Sequence, residues 1–312
     1  MLDSENNETV EPIFKKGGLT VGKRDVNKYI IQLKKSKFKI PYIKVNKRKI
    51  EEVYYIADNL HSLTIGATRS GKTRSVVLES INNIALAGES MIVSDPKGEL
   101  YEYTCKELER LGYKVLTLDF KNPLKSSHYN FLQPVIDAVN KNDIPLAENR
   151  ASDIVSSLVG EAKGEKIWND GEKSVIKAGI MAVVMENTKK PEFQNLVNVY
   201  NFLSEMCMEQ PDKTMLMDTF LEGLPKNHPA VSAFAPARIA PSKTRASFFT
   251  SALNTLNIFT DSYIASMISS TDISAVDIGT NRCALFCILP DEKITMYRTM
   301  FIVCKSNLHA DL

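Results

Sequence analysis

One short stretch constrains this chain more than any other. Gly66–Thr73 reads GATRSGKT and satisfies G-x-x-x-x-G-K-[ST] at every required position. An apolar run, Ser62–Gly66 (SLTIG), precedes it and predicts a strand. Lys72–Ala87 follows with helical spacing at Val77, Ile81, Ile84 and Ala85. Strand, glycine loop and helix in that order form a phosphate cradle. Gly66 and Gly71 let the backbone curl. The amides of Ala67, Thr68, Arg69 and Ser70 are placed to face an anion, and the helix N-terminus adds partial positive charge. Lys72 is the residue that reaches the β- and γ-phosphates, and Thr73 offers a hydroxyl to Mg²⁺. ATP and Mg²⁺ are the expected ligands. Arg69 is read as an exposed side chain on a loop that works through its backbone, with a phosphate or subunit contact as the alternative.

The surrounding chain supports an α/β reading. Met91–Asp95 (MIVSD) and Tyr113–Phe120 (YKVLTLDF) predict buried strands, and Glu99–Leu111 predicts a helix between them. Alternation at this spacing argues for a parallel sheet with crossover helices. From Ile144 to Ala246 the apolar faces of Ile154–Leu158, Val175–Met185, Leu196–Met206 and Met215–Leu221 predict helices and no strand. A strand returns at Cys283–Leu289, followed by a helix around Tyr297–Cys304. The expected division is a basic arm with edge strands over 1–57, a first α/β part over 58–135, an all-helical insertion over 136–245, and a return to the α/β part over 246–312.

Composition excludes several classes. Of the 312 residues, 44% are hydrophobic and 24% charged, which rules out a disordered or collagen-like chain. The five cysteines are scattered, which excludes a disulfide scaffold and points to reduced thiols in a cytosolic compartment. The longest charge-free run considered, Ala246–Thr260, is too short to span a bilayer. Net charge is +2, but residues 15–49 hold thirteen Lys or Arg and one acid. With Tyr29, Phe38 and Tyr42 among those cations, the segment suits nucleic acid or an anionic membrane surface, or a solvated terminus. Residues 1–30 read as flexible and polar, and Phe38–Ile56 as a short hairpin or edge strand.

Nucleotide hydrolysis also needs carboxylates, and two segments offer them: IVSD, ending in Asp95, and CILPDE, containing Asp291 and Glu292. Asp95 has a second reading, as part of the turn SDPKGEL before a helix. Cys283 and Cys287 lie four apart on a strand without a second ligand pair, and the four histidines form no triad spacing.

GATRSGKT, SMIVSDPKGELYE, YKVLTLDFKNP, YNFLQP, APSKTRASFFTSALNTLNIFTD and CALFCILPDEK together resemble the TraG-like type IV secretion coupling proteins, from about Leu60 onward. The resemblance implies a RecA-like P-loop NTPase sheet interrupted by an all-helical domain. It implies hexameric rings at the cytoplasmic face of the cell membrane that use ATP to deliver relaxase-bound single-stranded DNA, or protein substrates, to a secretion channel. The chain departs from that pattern in three ways. It lacks membrane-spanning helices. The family's carboxylate strand falls after Leu312, so Asp291 and Glu292 are not the catalytic pair by that alignment, and Asp95 belongs to another strand. Arg69 stands where many members have a small residue. Leu308–Leu312 shows no closing signal, from which a C-terminal truncation is expected. The full-length form is then expected to be a DNA-stimulated ATPase, and this chain to bind ATP but turn it over poorly. A hydrolysis-deficient binding module and a P-loop kinase are the alternative classes.

Overall fold

The computed structural model describes residues 16–35, 41–56, 61–161, 165–211 and 214–289. The described residues form two compact units. One comprises those up to Met91 together with Tyr103–Lys114; the other comprises Ile92–Glu102 and the chain from Val115 onward.

The first unit opens with β1 (Leu19–Lys35) and β2 (Pro41–Ile56), an antiparallel two-stranded ribbon with Leu19 opposite Ile56 and Lys35 opposite Pro41. A bulge falls between Thr20 and Gly22. The base of the ribbon is pinned to the helix that follows the glycine loop. The Thr20 amide donates to Ser80 Oγ at 3.0 Å, and Asn83 Nδ2 donates to Thr20 Oγ1 at 2.6 Å. That helix starts as a π-helical turn (Thr73–Val77) and continues as α1 (Leu78–Ala87). Gly88 ends it in the left-handed region, with its amide and that of Glu89 capping the carbonyls of Ala85 and Ile84. Tyr113 ties the unit together by donating its hydroxyl to Glu89 O at 2.7 Å.

The second unit holds a three-stranded parallel sheet. β3 (Met91–Ser94) leads to α2 (Glu99–Arg110) and β4 (Lys114–Asp119). Nine helices follow among the described residues: α3 (Gln133–Asn140), α4 (Ile144–Val159), α5 (Lys166–Glu186), α6 (Leu196–Met206), α7 (Leu216–Glu222), α8 (Pro229–Arg238), α9 (Ser242–Leu256), α10 (Ser262–Ile268) and α11 (Ala275–Thr280). Only then does β5 (Cys283–Ile288) close the sheet, in the order β3-β5-β4. A central strand covered on both faces reads as a continuous apolar run, and all six residues of β5 are buried. Cys283, Leu285 and Cys287 pack with the helical core, while Phe286, a neighbour in sequence, meets Tyr101 edge to face at 5.6 Å. Burial pushes the Cys287 thiol up to about 12, so this thiol stays neutral and packs as an apolar group.

The helical part is built around α5. Val175, Ile176, Ala178, Ile180, Met181 and Val184 are fully enclosed there, by α4, α6, α8 and α9. A helix buried almost all round explains why its residues show little amphipathic contrast. Between 144 and 246 the only described β pairing is a single bridge, Glu209–Met215. No described helix is long and apolar enough to cross a membrane.

Two sequence expectations are corrected. Leu19–Lys35 is a strand, where residues 1–30 read as flexible; β2 pairs with it along its length, from Leu19 opposite Ile56 to Lys35 opposite Pro41, and so takes up its backbone hydrogen bonds. Ser62–Gly66 forms no strand. Leu63 and Ile65 are 84% and 85% exposed. An apolar run becomes a strand only when a neighbour accepts its hydrogen bonds, and neither described sheet includes it. The helix expected around Tyr297–Cys304 lies outside the described residues.

Candidate phosphate-binding site

Residues Gly66–Gly71 form an exposed loop in the first unit. Ser70 N donates to Ala67 O at 3.2 Å, closing a turn. Arg69 (φ 64°) and Gly71 (φ 83°) both lie in the left-handed region. Gly71 takes that conformation without cost, whereas a side chain at Arg69 pays for it in strain of about 1 kcal/mol. Left-handed residues at alternate positions curl the backbone so that successive amides converge. Among the described residues, the amides of Thr68, Arg69 and Gly71 meet no backbone acceptor. They are donors held ready for an anion.

Lys72 crosses the mouth of this curl. Its Nζ donates to Gly66 O at 2.5 Å and Ala67 O at 2.8 Å, so the ammonium rests on the carbonyls that begin the loop. Thr73 is exposed, and no protein partner of its hydroxyl is found among the described residues. Ser75 stiffens the entry to the helix, donating both its amide (2.9 Å) and its hydroxyl (2.8 Å) to Gly71 O. The first helical turn holds no acid and carries Arg74. Arg69, Lys72 and Arg74 thus place three cations within six residues. Sequence reasoning stopped at Thr73, the last position of the motif, and so missed Arg74 and Ser75; the signal was simply the next two residues. Preformed donors, cationic surroundings and a free hydroxyl suit phosphate oxygens and a magnesium ion, which takes one protein oxygen and fills the rest of its shell from phosphate and water.

The loop residues Gly66–Thr73 come together as one continuous structure. Asp95 lies in the second unit and is 2% exposed. Its Oδ1 accepts from Gly98 N at 3.0 Å and its Oδ2 from Tyr101 N at 2.9 Å, while its own amide donates to Cys287 O. Both carboxylate oxygens are engaged in holding the β3–α2 turn, the geometry of a helix N-terminal anchor. Asp291 and Glu292 lie outside the described residues.

Solved structures share this architecture. The unbound form of the bacterial conjugative coupling protein TrwBdeltaN70 superposes with a TM-score of 0.52 at 17% identity, over 77% of this chain and 49% of that one. TrwB in complex with the non-hydrolysable ATP analogue ADPNP gives 0.51 at 15% identity, and TrwB with ADP and Mg²⁺ gives 0.50 at 16%, each over 77% of this chain and 51% of that one. The chain therefore spans about half the length of the structures it matches, and it has the RecA-like P-loop fold with an all-helical insertion. No curated protein matches the sequence. The model of the family "Type IV secretory system Conjugative DNA transfer" matches residues 8–306, nearly the whole length, and the chain belongs to that family.

Proposed function

We propose that Gly66–Thr73 binds Mg²⁺-ATP and that the chain is the nucleotide-binding motor portion of a coupling protein for conjugative DNA transfer. The observation that carries the site is the curled loop of unpaired amides with Lys72 across its mouth. In the bound state the Lys72 ammonium exchanges two carbonyl acceptors for phosphate oxygens, a stronger charge-assisted pair. Thr68, Arg69 and Gly71 donate through their backbones, and Thr73 supplies a hydroxyl to the metal. The ion neutralises phosphate charge when bound. The nucleotide complexes of TrwB support this reading.

The family membership supports the wider role. In that role the protein works within a hexameric ring at the cytoplasmic face of the membrane. It uses ATP to hand a relaxase-bound single DNA strand, or a protein substrate, to the secretion channel. Residues 58–135 and 246–312 form the motor and 136–245 the inserted domain. No water-activating carboxylate is assigned within the described residues, so binding rather than turnover is the decisive test. Titration of the chain with Mg²⁺-ATP is expected to show saturable binding that Lys72→Ala weakens by about a hundredfold, the worth of one strong charged contact. Equal affinity in the two proteins would overturn the site.

A further inference from the structure

We propose that the cleft between the C-terminal ends of α3 and α5, in the second unit, is a binding site for a guanidinium group. The cleft holds about 510 Å³, a volume typical of small-ligand pockets. Gln133, Asn140, Thr188, Glu192, Gln194 and Ser269 give it its polar lining, and Ile136 and Pro191 its apolar walls. Several of these side chains have spent their own donors and keep an acceptor. Gln194 is only 2% exposed, and its Nε2 donates to Val184 O at 2.7 Å. This bond fixes which end of the amide is which, and no donor among the described residues reaches its Oε1. Gln133 is oriented in the same way, with Nε2 donating to Asp137 Oδ1 at 2.7 Å. Ser269 Oγ donates to Ser266 O at 2.9 Å, which leaves its lone pairs available. Buried polar atoms almost always have a partner, so the Gln194 oxygen calls for a donor from outside the chain.

Electrostatics choose the kind of donor. Glu192 is the one charged side chain in the lining among the described residues. Asn140 is the last residue of α3, and Thr188 lies just past Glu186, the last residue of α5. Helix C-termini carry partial negative charge, and neither helix has a basic residue in its last turn to offset it. The nearby lysines are directed elsewhere: Lys190 Nζ lies over the Phe193 ring at 5.9 Å, and Lys141 lines a neighbouring cavity and not this one. The ligand must therefore be positive and rich in N–H groups. A guanidinium is both, and its planar fork of donors matches amide oxygens and a carboxylate better than the point charge of an ammonium does. It can arrive on a free small molecule or as an arginine side chain of a peptide; the group recognised is the same. This cleft shares no residue with the phosphate-binding loop.

Saturation-transfer NMR on the full chain tests it with N-acetyl-argininamide, its uncharged isostere N-acetyl-citrullinamide, and an alanine pentapeptide with arginine at its centre. The argininamide is expected to bind saturably with a Kd of about 1 mM or tighter, and the citrulline compound about tenfold more weakly. A pentapeptide that binds like the argininamide points to a free small molecule, and one that binds about tenfold more tightly points to a displayed side chain. Glu192→Gln, at an exposed position, is expected to weaken argininamide binding about tenfold. Thr188→Lys, also exposed, places a tethered ammonium in the cleft and is expected to weaken it comparably with an unchanged thermal melt. Lys72→Ala is expected to bind argininamide like the wild type, which keeps the two proposals separable. Equal binding of the arginine and citrulline compounds, no saturation below about 10 mM, or an affinity unmoved by both Glu192→Gln and Thr188→Lys would each overturn the site.

Discussion

His228 shows how one residue carries a pH dependence. It is 7% exposed at the start of α8, where its Nδ1 accepts the Ala230 amide at 3.1 Å. The neutral ring must then hold its proton on Nε2, which faces Glu186 Oε1 at 3.6 Å without forming a hydrogen bond. Burial lowers the His228 pKa, and the Glu186 charge only partly opposes the shift. A histidine whose folded pKa is depressed binds its proton more readily once unfolded. Its neutral form therefore supports the fold above the ordinary value of about 6.5, and that support is lost as pH falls below it. Urea midpoints measured from pH 8 down to pH 5 are expected to decline in the wild type and to decline less in His228→Gln. At this scale the candidate site was legible from Gly66 to Thr73, because the motif specifies residue types at fixed spacing. The left-handed φ of Arg69 was not legible, since no composition rule places an arginine there.

Helix crossings decide more than helix propensity does. Where α5 meets α9, a Cβ on Gly171 would lie 2.4 Å from two ring carbons of Phe248. Trp168 closes the same ring from its edge, with centroids 5.9 Å apart. Gly171→Ala gains about 1 kcal/mol in helix propensity and loses about 1–3 kcal/mol to overpacking. With an aromatic ring that cannot retreat, the loss is expected to win, and denaturant unfolding should register a net destabilisation of about 1–2 kcal/mol. A stabilised variant would mean that α5 and α9 separate more readily than their packing suggests. The helices themselves were largely legible, because four apolar stretches between 154 and 221 repeat at helical spacing. Their crossings were not, since glycine reads as a weak helix former until its neighbour is known. Ser62–Gly66 failed for the complementary reason: periodicity predicts what a segment can pair with, never whether a partner arrives.

The second unit is joined through β5. Asp95 N and Phe120 N each donate to this strand, at 2.9 and 3.0 Å, so in the described sheet β3 and β4 pair with β5 and not with each other. Its odd-numbered residues also belong to the helical core. Leu285→Asp places a charge at a fully enclosed position and is expected to cost more than about 4 kcal/mol, abolishing the cooperative thermal melt followed by circular dichroism. Ile239→Asp, at a position 87% exposed, is expected to stay within about 0.5 kcal/mol of the wild type. A mild effect at Leu285 would show that the sheet and the helices hold together without β5. The α/β character was legible from the alternating runs, but the order β3-β5-β4 was not, because strand order is set by contacts between distant segments.

That order has a consequence on the ribosome. About 160 residues separate β4 from the strand that pairs with it. At synthesis rates of about 5–20 residues per second, β3 and β4 emerge roughly 8 to 30 s before their shared partner. Throughout that interval both carry bare strand edges, which invite pairing with other nascent chains. A cell making this protein must either shield those edges or fold the helical insertion first, so that β5 arrives at a surface already waiting for it.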